Sequence, residues 1–271
     1  MKRIWKLLVI AAVPFLLFGC EEFLTFNLFS AIDTPETPSA ENLNAMGDAE
    51  LLTVISDLIE SDSFYEDIAD NDVVREAVIG NLSEIYSGGS DAELADQQQA
   101  SLLVAEIELN STAAGDVVDD FVNVMTKIIE EPPESGSAEE FTETIVTQVF
   151  ADVTEENFDE TLVALFAAAD AYTFYGESLD DSGEIVVPDD SNTGAVAQDA
   201  VVAILISEIV DLDGGQDELL SVGEFRSIVI DDEPFPEDFA IEENPLEENE
   251  ALVNILTASG MEDMFSGQEE A

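Results

Sequence analysis

Acidic residues outnumber basic ones more than tenfold in this chain, so any fold it adopts must keep a large negative charge at its surface. The 271 residues include 63 Asp and Glu, 6 Lys and Arg, and no His, for a formal net charge of −57 at pH 7. Such a charge favours disorder when apolar residues are scarce. Here they make up 46% of the chain, and a chain of this length can bury a sizeable core. We therefore expect a folded domain with an acidic surface.

The first nineteen residues differ in composition from all that follow. Lys2, Arg3 and Lys6 form a basic start, an apolar run covers 7–18, and no acid occurs before Glu21. The run is too short for a membrane-spanning helix, and the whole pattern is typical of a secretory signal peptide. Cleavage after residue 19 would leave three cationic side chains against 63 acids, a net charge of −60.

The segment Leu17-Phe18-Gly19-Cys20 resembles the lipobox of bacterial lipoproteins. In that class the cysteine thiol receives a diacylglycerol, and the cysteine becomes the new N-terminus after cleavage. Phe18 departs from the small or branched residue usual at its position, a departure familiar in spirochaete lipoboxes. Cys20 is also the only cysteine, so no disulfide can form within the chain.

The resemblance implies a protein of the bacterial cell envelope, anchored to a membrane by a lipid on Cys20, with palmitate among its expected acyl chains. It leaves open which membrane and which face carry the protein. The alternatives are a plain secreted protein and an uncleaved anchor that happens to contain one cysteine.

Apolar residues at helical spacing recur through the rest of the chain. The clearest run covers 117–129, and others lie at 51–59, 73–85, 102–107, 141–150, 158–172, 195–210 and 252–256. We expect the run from Phe158 to end at Gly176, and a short strand at 185–187. The pattern predicts an all-α protein with a signal peptide at 1–19, a lipidated, proline-containing tether at 20–39, and one acidic domain of about eight helices at 40–271.

The residue types that are missing exclude several classes of function. Without His, and with Cys20 assigned to lipid, the chain cannot form Ser-His-Asp triads, Cys-His pairs or the usual zinc and haem sites. Three cations cannot cradle a polyphosphate, and nucleic acid would be repelled. Two carboxylates suffice for glycoside hydrolysis, but no pair stands out among 63 acids. We therefore expect a protein that is not an enzyme.

One loop carries a metal-binding pattern. Residues 211–225, DLDGGQDELLSVGEF, resemble the calcium loop of EF-hand proteins in a degenerate form. When Glu224 is taken as the bidentate last ligand, Ser221, Asp217 and Asp213 fall at the ninth, fifth and first positions. Leu220 then occupies the apolar eighth position. The resemblance implies a Ca²⁺ site made by these four oxygen-bearing side chains.

The loop also departs from the EF-hand pattern. Gly215 stands where the third ligand belongs, and Glu218 replaces the glycine of the sharp turn. Counting from Asp211 instead requires a loop that is two residues longer. The alternative interpretation is an acidic turn between two helices, with Arg226 placed to neutralise it. Arg75, three residues after Asp72, is expected to form an ordinary helix-surface ion pair.

The acidic surface has two interpretations. Halophilic proteins have such surfaces, because salt shortens the Debye length from about 8 Å at physiological strength to about 3 Å at 1 M. The other interpretation is a surface that sequesters cations or attracts a basic partner. The sequence as a whole predicts a lipid-anchored, non-enzymatic envelope protein that serves as a protein-interaction or spacer domain. A calcium-binding or calcium-stabilised envelope module is the alternative.

Overall fold

The computed structural model describes residues 36–88, 92–130, 146–182, 193–212, 219–231, 233–236 and 249–260. Within these ranges, helices hold 75% of the residues and strands 2%, so the predicted all-α class is confirmed. Cys20, Asp213, Asp217 and the predicted strand at 185–187 lie outside the described residues. The predictions made for them stay predictions.

Eleven helices occur in the described ranges, more than the eight expected, because several short helices flank the predicted ones. Ten are numbered here in chain order, and a further helical stretch covers 146–149. They are α1 Ala40–Leu43, α2 Asp48–Leu58, α3 Asp62–Ala69, α4 Asp72–Tyr86, α5 Leu94–Asn110, α6 Ala114–Glu130, α7 Phe158–Ser182, α8 Thr193–Ser207, α9 Val222–Asp231 and α10 Glu250–Ala258. Two short parallel strands, β1 Val210–Asp211 and β2 Leu220–Ser221, pair between α8 and α9.

Polar side chains fix the start of several helices. The Asn71 side chain accepts a hydrogen bond from the Val74 amide at 3.3 Å, and the Asn249 side chain accepts one from the Leu252 amide at 3.0 Å. These caps satisfy amides that have no partner within the first turn of a helix. Helices α4 and α10 therefore begin where an asparagine precedes an apolar run.

Helix α7 lies at the centre of the fold and packs against α5, α8 and α10. Helix α8 is also largely enclosed by the fold, because its buried apolar residues lie on all of its sides rather than along one stripe. A helix that is apolar all round belongs in a protein core. One residue breaks this rule: Asp199 is the only charged side chain between Thr193 and Ser207.

The predicted end of a helix at Gly176 is wrong, because α7 continues to Ser182. A Cβ atom at Gly176 would lie 2.2 Å from the carbonyl oxygen of Ala251 on α10. The Asn254 side chain also donates a hydrogen bond to the Gly176 carbonyl at 3.0 Å. The glycine is required by the close approach of α10, and it does not terminate α7.

The predicted pairing of Arg75 with Asp72 is also wrong. Among the described residues, the ion-pair partners of Arg75 are Glu108 on α5, at 2.5 Å, and Glu160 on α7, at 3.1 Å. Its guanidinium therefore joins three helices, α4, α5 and α7. The Glu108 side chain is only 9% exposed, so this contact lies at the edge of the core.

Arg226 also serves the fold. Its neutralisation of the 211–225 loop stays a prediction, because Asp213, Asp217 and Glu218 lie outside the described residues. The Arg226 guanidinium donates a hydrogen bond to Asp159 at 3.1 Å and lies over the ring of Phe158, 5.3 Å from the ring centroid. Both acceptor and ring belong to the first turn of α7. Since Arg75 binds Glu160 in the same turn, two of the three cations after residue 19 hold the start of the central helix.

Candidate functional site

The two short strands hold together the ends of the predicted calcium loop. Val210 pairs with Leu220, and both side chains are buried. The Leu220 amide also donates a hydrogen bond to the carbonyl of Ile209 at 2.9 Å. The apolar eighth position of the EF-hand-like pattern thus lies in the core, with helix α8 leading into the loop and helix α9 leading out.

Ser221 and Glu224, two of the four predicted ligands, contact each other at the start of α9. The Ser221 hydroxyl and amide donate to the Oε2 atom of Glu224 at 2.6 and 2.9 Å, and the Glu224 amide donates to the Ser221 hydroxyl at 3.3 Å. This reciprocal arrangement is a capping box. The two hydrogen bonds from Ser221 favour the charged carboxylate, so they lower the pKa of Glu224 below its ordinary value.

The capping box explains the spacing of Ser221 and Glu224 without a metal ion. Within the described ranges, no group of three or more Asp, Glu, His or Cys side chains could hold a metal, and Asp213 and Asp217 lie outside those ranges. A surface cavity of about 470 Å³ beside the cap is lined by Glu224 and Glu233 among others. Solvent and small ions can therefore reach the Glu224 carboxylate.

A second group of residues, three acids and two tyrosines that the sequence did not single out, comes from helices α3, α5, α6, α7 and α8. Tyr65 donates a hydrogen bond to the Oε1 atom of Glu106 at 2.9 Å, and Tyr172 donates one to Asp199. Tyr172 is 2% exposed, Glu106 and Asp199 are partly buried, and Asp119 lies at the exposed rim. We call these five residues the tyrosine–carboxylate cluster.

Burial raises the pKa of Asp199 to about 7, and the negative charges of Asp119 and Glu106 act in the same direction. The hydrogen bond from Tyr172 opposes them, because it favours the charged carboxylate. Burial also raises the pKa of Glu106. Every charged group in the described part of the chain that acts on Asp199 is therefore an acid.

Glu108, on the same helix as Glu106, is held differently. Burial raises its pKa, while the neighbouring Arg75 guanidinium lowers it. Two carboxyl groups that are two residues apart on α5 thus have different partners, a cation for Glu108 and a tyrosine hydroxyl for Glu106. Cations are scarce in this chain, and the cluster has none.

A carboxyl group that titrates near neutral pH can exchange a proton under mild conditions, and such groups are enriched in functional sites. The cluster is therefore the part of the described structure with the most unusual acid–base chemistry. A sequence signal for it existed: one acid in an otherwise uncharged fifteen-residue helix. Among 63 acids, Glu106 and Asp119 carried no such signal.

No protein-family model, curated protein or solved structure matches this chain. In the described ranges, no helix is both long enough and apolar enough to cross a membrane.

Proposed function

We propose that this chain is a lipid-anchored, non-enzymatic protein of the bacterial cell envelope, whose helical domain binds a protein partner or acts as a spacer. The observation that carries the proposal is the position of the sole cysteine. Cys20 directly follows Gly19 at the end of an apolar run with a basic start. A signal peptide that ends in this way is the substrate of lipoprotein processing, and the lipid then anchors the chain to the bilayer.

The length of chain between Cys20 and the first contact with the domain limits the distance between the domain and the membrane. The Thr37 hydroxyl donates a hydrogen bond to the Asp67 carboxylate on α3 at 2.6 Å, so the chain is attached to the domain by that point. Between Cys20 and Thr37, a fully extended chain reaches at most about 60 Å. The tether therefore holds the near side of the domain within about 60 Å of the lipid surface. A partner must bind within this distance plus the width of the domain.

The distribution of cations supports a partner with a basic surface. Arg75 and Arg226 are engaged by acids of the fold, and Lys127 is the exposed cation in the described part of the chain. The acids on the outside of the domain are thus largely uncompensated. Complementary charge steers association and selects partners.

Metabolic labelling with a fatty acid tests the anchor. The wild-type chain should incorporate label and fractionate with membranes, whereas Cys20→Ser should do neither or should accumulate as an unlabelled precursor. Phe18→Ala is the matched control, since it restores a usual small lipobox residue and should label at least as well as wild type. A wild-type chain without label would show that the lipoprotein proposal is wrong.

Crosslinking in the native organism tests the partner. Lys127 is the only lysine after residue 6, so amine-to-amine reagents are poorly suited to this protein. A zero-length reagent that joins carboxylates to lysines should instead capture a basic partner, and molar NaCl added before the reagent should abolish capture. If no protein is captured in low salt, the domain is a spacer.

A calcium-stabilised module is the second candidate, and it is favoured by the strand pair that joins the two ends of the 211–225 loop between helices α8 and α9. The test is thermal melting in fixed high NaCl with millimolar calcium, magnesium or chelator. Calcium should stabilise the fold by about 2.7 kcal/mol at a hundredfold excess over the dissociation constant. Magnesium should do much less if the site is specific.

Glu224→Gln separates the two roles of this side chain. Glutamine also occupies the third helical position of capping boxes, so the variant should retain the cap while it loses the charged ligand. The calcium effect should therefore disappear in Glu224→Gln, and the metal-free stability should change little. An equal response to both metals, or an unchanged calcium response in the variant, would identify the loop as an acidic turn.

A further inference from the structure

The surface cavity beside the capping box, about 470 Å³ in volume, is formed by helix α9 and the chain that follows it. Glu224 and Ser227 line it from the helix, and Glu233 and Pro234 line it from beyond the helix. The Glu233 amide donates a hydrogen bond to the Ser227 carbonyl at 3.1 Å, which attaches the following chain to α9. Ligand sites in proteins typically have volumes of about 300–1,000 Å³, so this cavity is large enough to hold a side chain of a partner.

The cavity carries negative charge that no cation offsets among its described lining residues. Glu224 and Glu233 are the ionisable side chains of that lining, and both are exposed. Arg226 lies close in sequence, but its guanidinium is engaged at the first turn of α7. The Ser221 hydroxyl and amide donate to the Oε2 atom of Glu224, and these hydrogen bonds lower the pKa of this carboxyl group. Glu224 is therefore charged at neutral pH.

Apolar and small residues complete the lining of the cavity. Ile228 is buried, and its side chain and the Pro234 ring offer apolar surface beside the two carboxylates. Gly223 also lines the cavity, and a Cβ atom at this position would meet no atom within 4 Å. Because Gly223 lies in the first turn of α9, a larger residue there would project into open space next to Glu224. The cavity therefore suits a ligand with an apolar stem and a cationic end.

We propose that this cavity is a docking site for an arginine side chain of a basic protein partner, with the guanidinium held by Glu224 and Glu233. The apolar stem of the arginine lies along Ile228 and Pro234. This inference rests on the proposed function, since it names the surface through which the domain binds its partner. Arginine combines an apolar stem with a planar group of five N–H donors that pairs well with carboxylates.

Other classes of ligand suit the cavity less well. A calcium ion takes six to eight oxygen ligands, and in the part of the chain that the structure describes no group of three or more Asp, Glu, His or Cys side chains could hold a metal. Two carboxylates would repel an anion. A lysine ammonium is more strongly hydrated than a guanidinium and cannot form two parallel hydrogen bonds with one carboxylate.

Binding of a short peptide to the purified full-length chain in detergent tests the docking site. The probe is a fluorescent arginine-containing peptide with blocked ends, and its control carries citrulline, which resembles arginine in shape but has no charge. In chelator and about 0.15 M NaCl, the arginine peptide should bind saturably and about tenfold more tightly than the citrulline peptide. Equal binding of the two peptides would overturn the proposal.

Variants of the chain separate the cavity from the acidic surface as a whole. Gly223→Leu fills the open space and retains every acid, so saturable binding should be lost. Glu233→Gln should weaken binding by about fivefold, whereas Glu66→Gln, which removes an exposed acid of α3, should bind as wild type does.

The peptide binds the acidic surface in general, and the proposal is wrong, if Gly223→Leu binds like the wild type. The same conclusion follows if Glu66→Gln weakens binding as much as Glu233→Gln does. Melting curves verify that Gly223→Leu is folded. Glu233→Gln changes only an exposed residue beyond α9, so the comparison with Glu66→Gln holds even if Gly223→Leu does not fold.

Two further comparisons identify the source of the cation and separate this proposal from the proposed function. Free arginine should compete only far above the concentration of the peptide, and equal competition would indicate a site for a small molecule and overturn the docking site. In the native organism, crosslinked capture of the partner should fall in Gly223→Leu. Undiminished capture would overturn the docking site and leave the proposed function intact, because the partner would then bind other acids of the domain. Absence of capture from the wild type would overturn both.

Discussion

Replacing Arg75 with methionine should destabilise the fold by about 3 kcal/mol. Methionine retains much of the apolar stem of arginine, so the variant chiefly removes the charge. The Glu108 side chain is 9% exposed and would lose its cationic partner, whereas Glu160 is 57% exposed and would be hydrated by water. The loss of stability should therefore come from the unpaired Glu108 carboxylate.

The size of the effect follows from the burial of this pair. Two unit charges about 4 Å apart attract by about 4 kcal/mol at an effective dielectric constant near 20, and removal of one partner of a buried pair costs about 3–5 kcal/mol. The lower value of this range applies because the Arg75–Glu108 pair is partly accessible to water. Loss of the exposed contact with Glu160 should add less than about 1 kcal/mol.

The pH dependence provides a second check on the same variant. Without Arg75, burial should raise the pKa of Glu108 further above its ordinary value. An acid with a raised folded-state pKa loses stability as pH rises through that pKa, so the deficit should be full above it and shrink toward about pH 4. A deficit that is constant with pH would indicate lost packing rather than an unpaired charge.

Urea denaturation in molar NaCl is the assay, with two further variants as controls. Arg75→Met combined with Glu108→Leu removes both charges and should recover most of the stability, because apolar replacements of buried ion pairs are often neutral. Glu160→Gln should cost less than about 1 kcal/mol. The reasoning is refuted if the double variant is as unstable as Arg75→Met, or if Glu160→Gln costs as much.

Two other predictions concern helix packing and salt. Gly176→Ala should destabilise by about 2 kcal/mol in the same assay, because its Cβ would meet Ala251. A Cβ atom at Gly80 in α4 would meet no atom within 4 Å, so Gly80→Ala should stabilise the fold by about 0.5–1 kcal/mol. Equal changes in stability for the two variants would contradict the close approach of α10 to Gly176. Melting temperature should rise from low salt to molar NaCl, because ions screen the repulsion of the acids. A flat or falling trend would mean that the acids need no screening.

The helices could be predicted from the sequence because each depends on a local pattern. The run at 117–129 predicts α6, and its residues Val117, Val118 and Phe121 are buried as expected. The role of Gly176 could not be predicted in this way. Its partner, Ala251, is 75 residues further along the chain. In the sequence, a glycine that ends a helix cannot be distinguished from one that allows another helix to pack closely.

The partners of Arg75 could not be predicted for a related reason. The local rule selects Asp72, three residues away, but acids are abundant on every helix, and proximity in sequence does not distinguish them. Burial decides instead, since the carboxylate that has lost most water gains most from a guanidinium. Of the two acids that contact Arg75, Glu108 is the more buried, and its burial depends on helices that meet only in the folded domain.

A chain with 63 acids and few cations can stabilise a buried carboxyl group by a cation, by a hydrogen bond from a hydroxyl or backbone amide, or by a retained proton. The described structure uses Arg75 for Glu108 and a tyrosine hydroxyl for each of Glu106 and Asp199. Burial raises the pKa of all three carboxyl groups, that of Asp199 to about 7. Of the three means, only the retained proton depends on pH near neutrality. The scarcity of Lys and Arg therefore also makes the core sensitive to protons, because a buried carboxyl group without a cation, such as that of Asp199, holds its proton to higher pH than a free acid does.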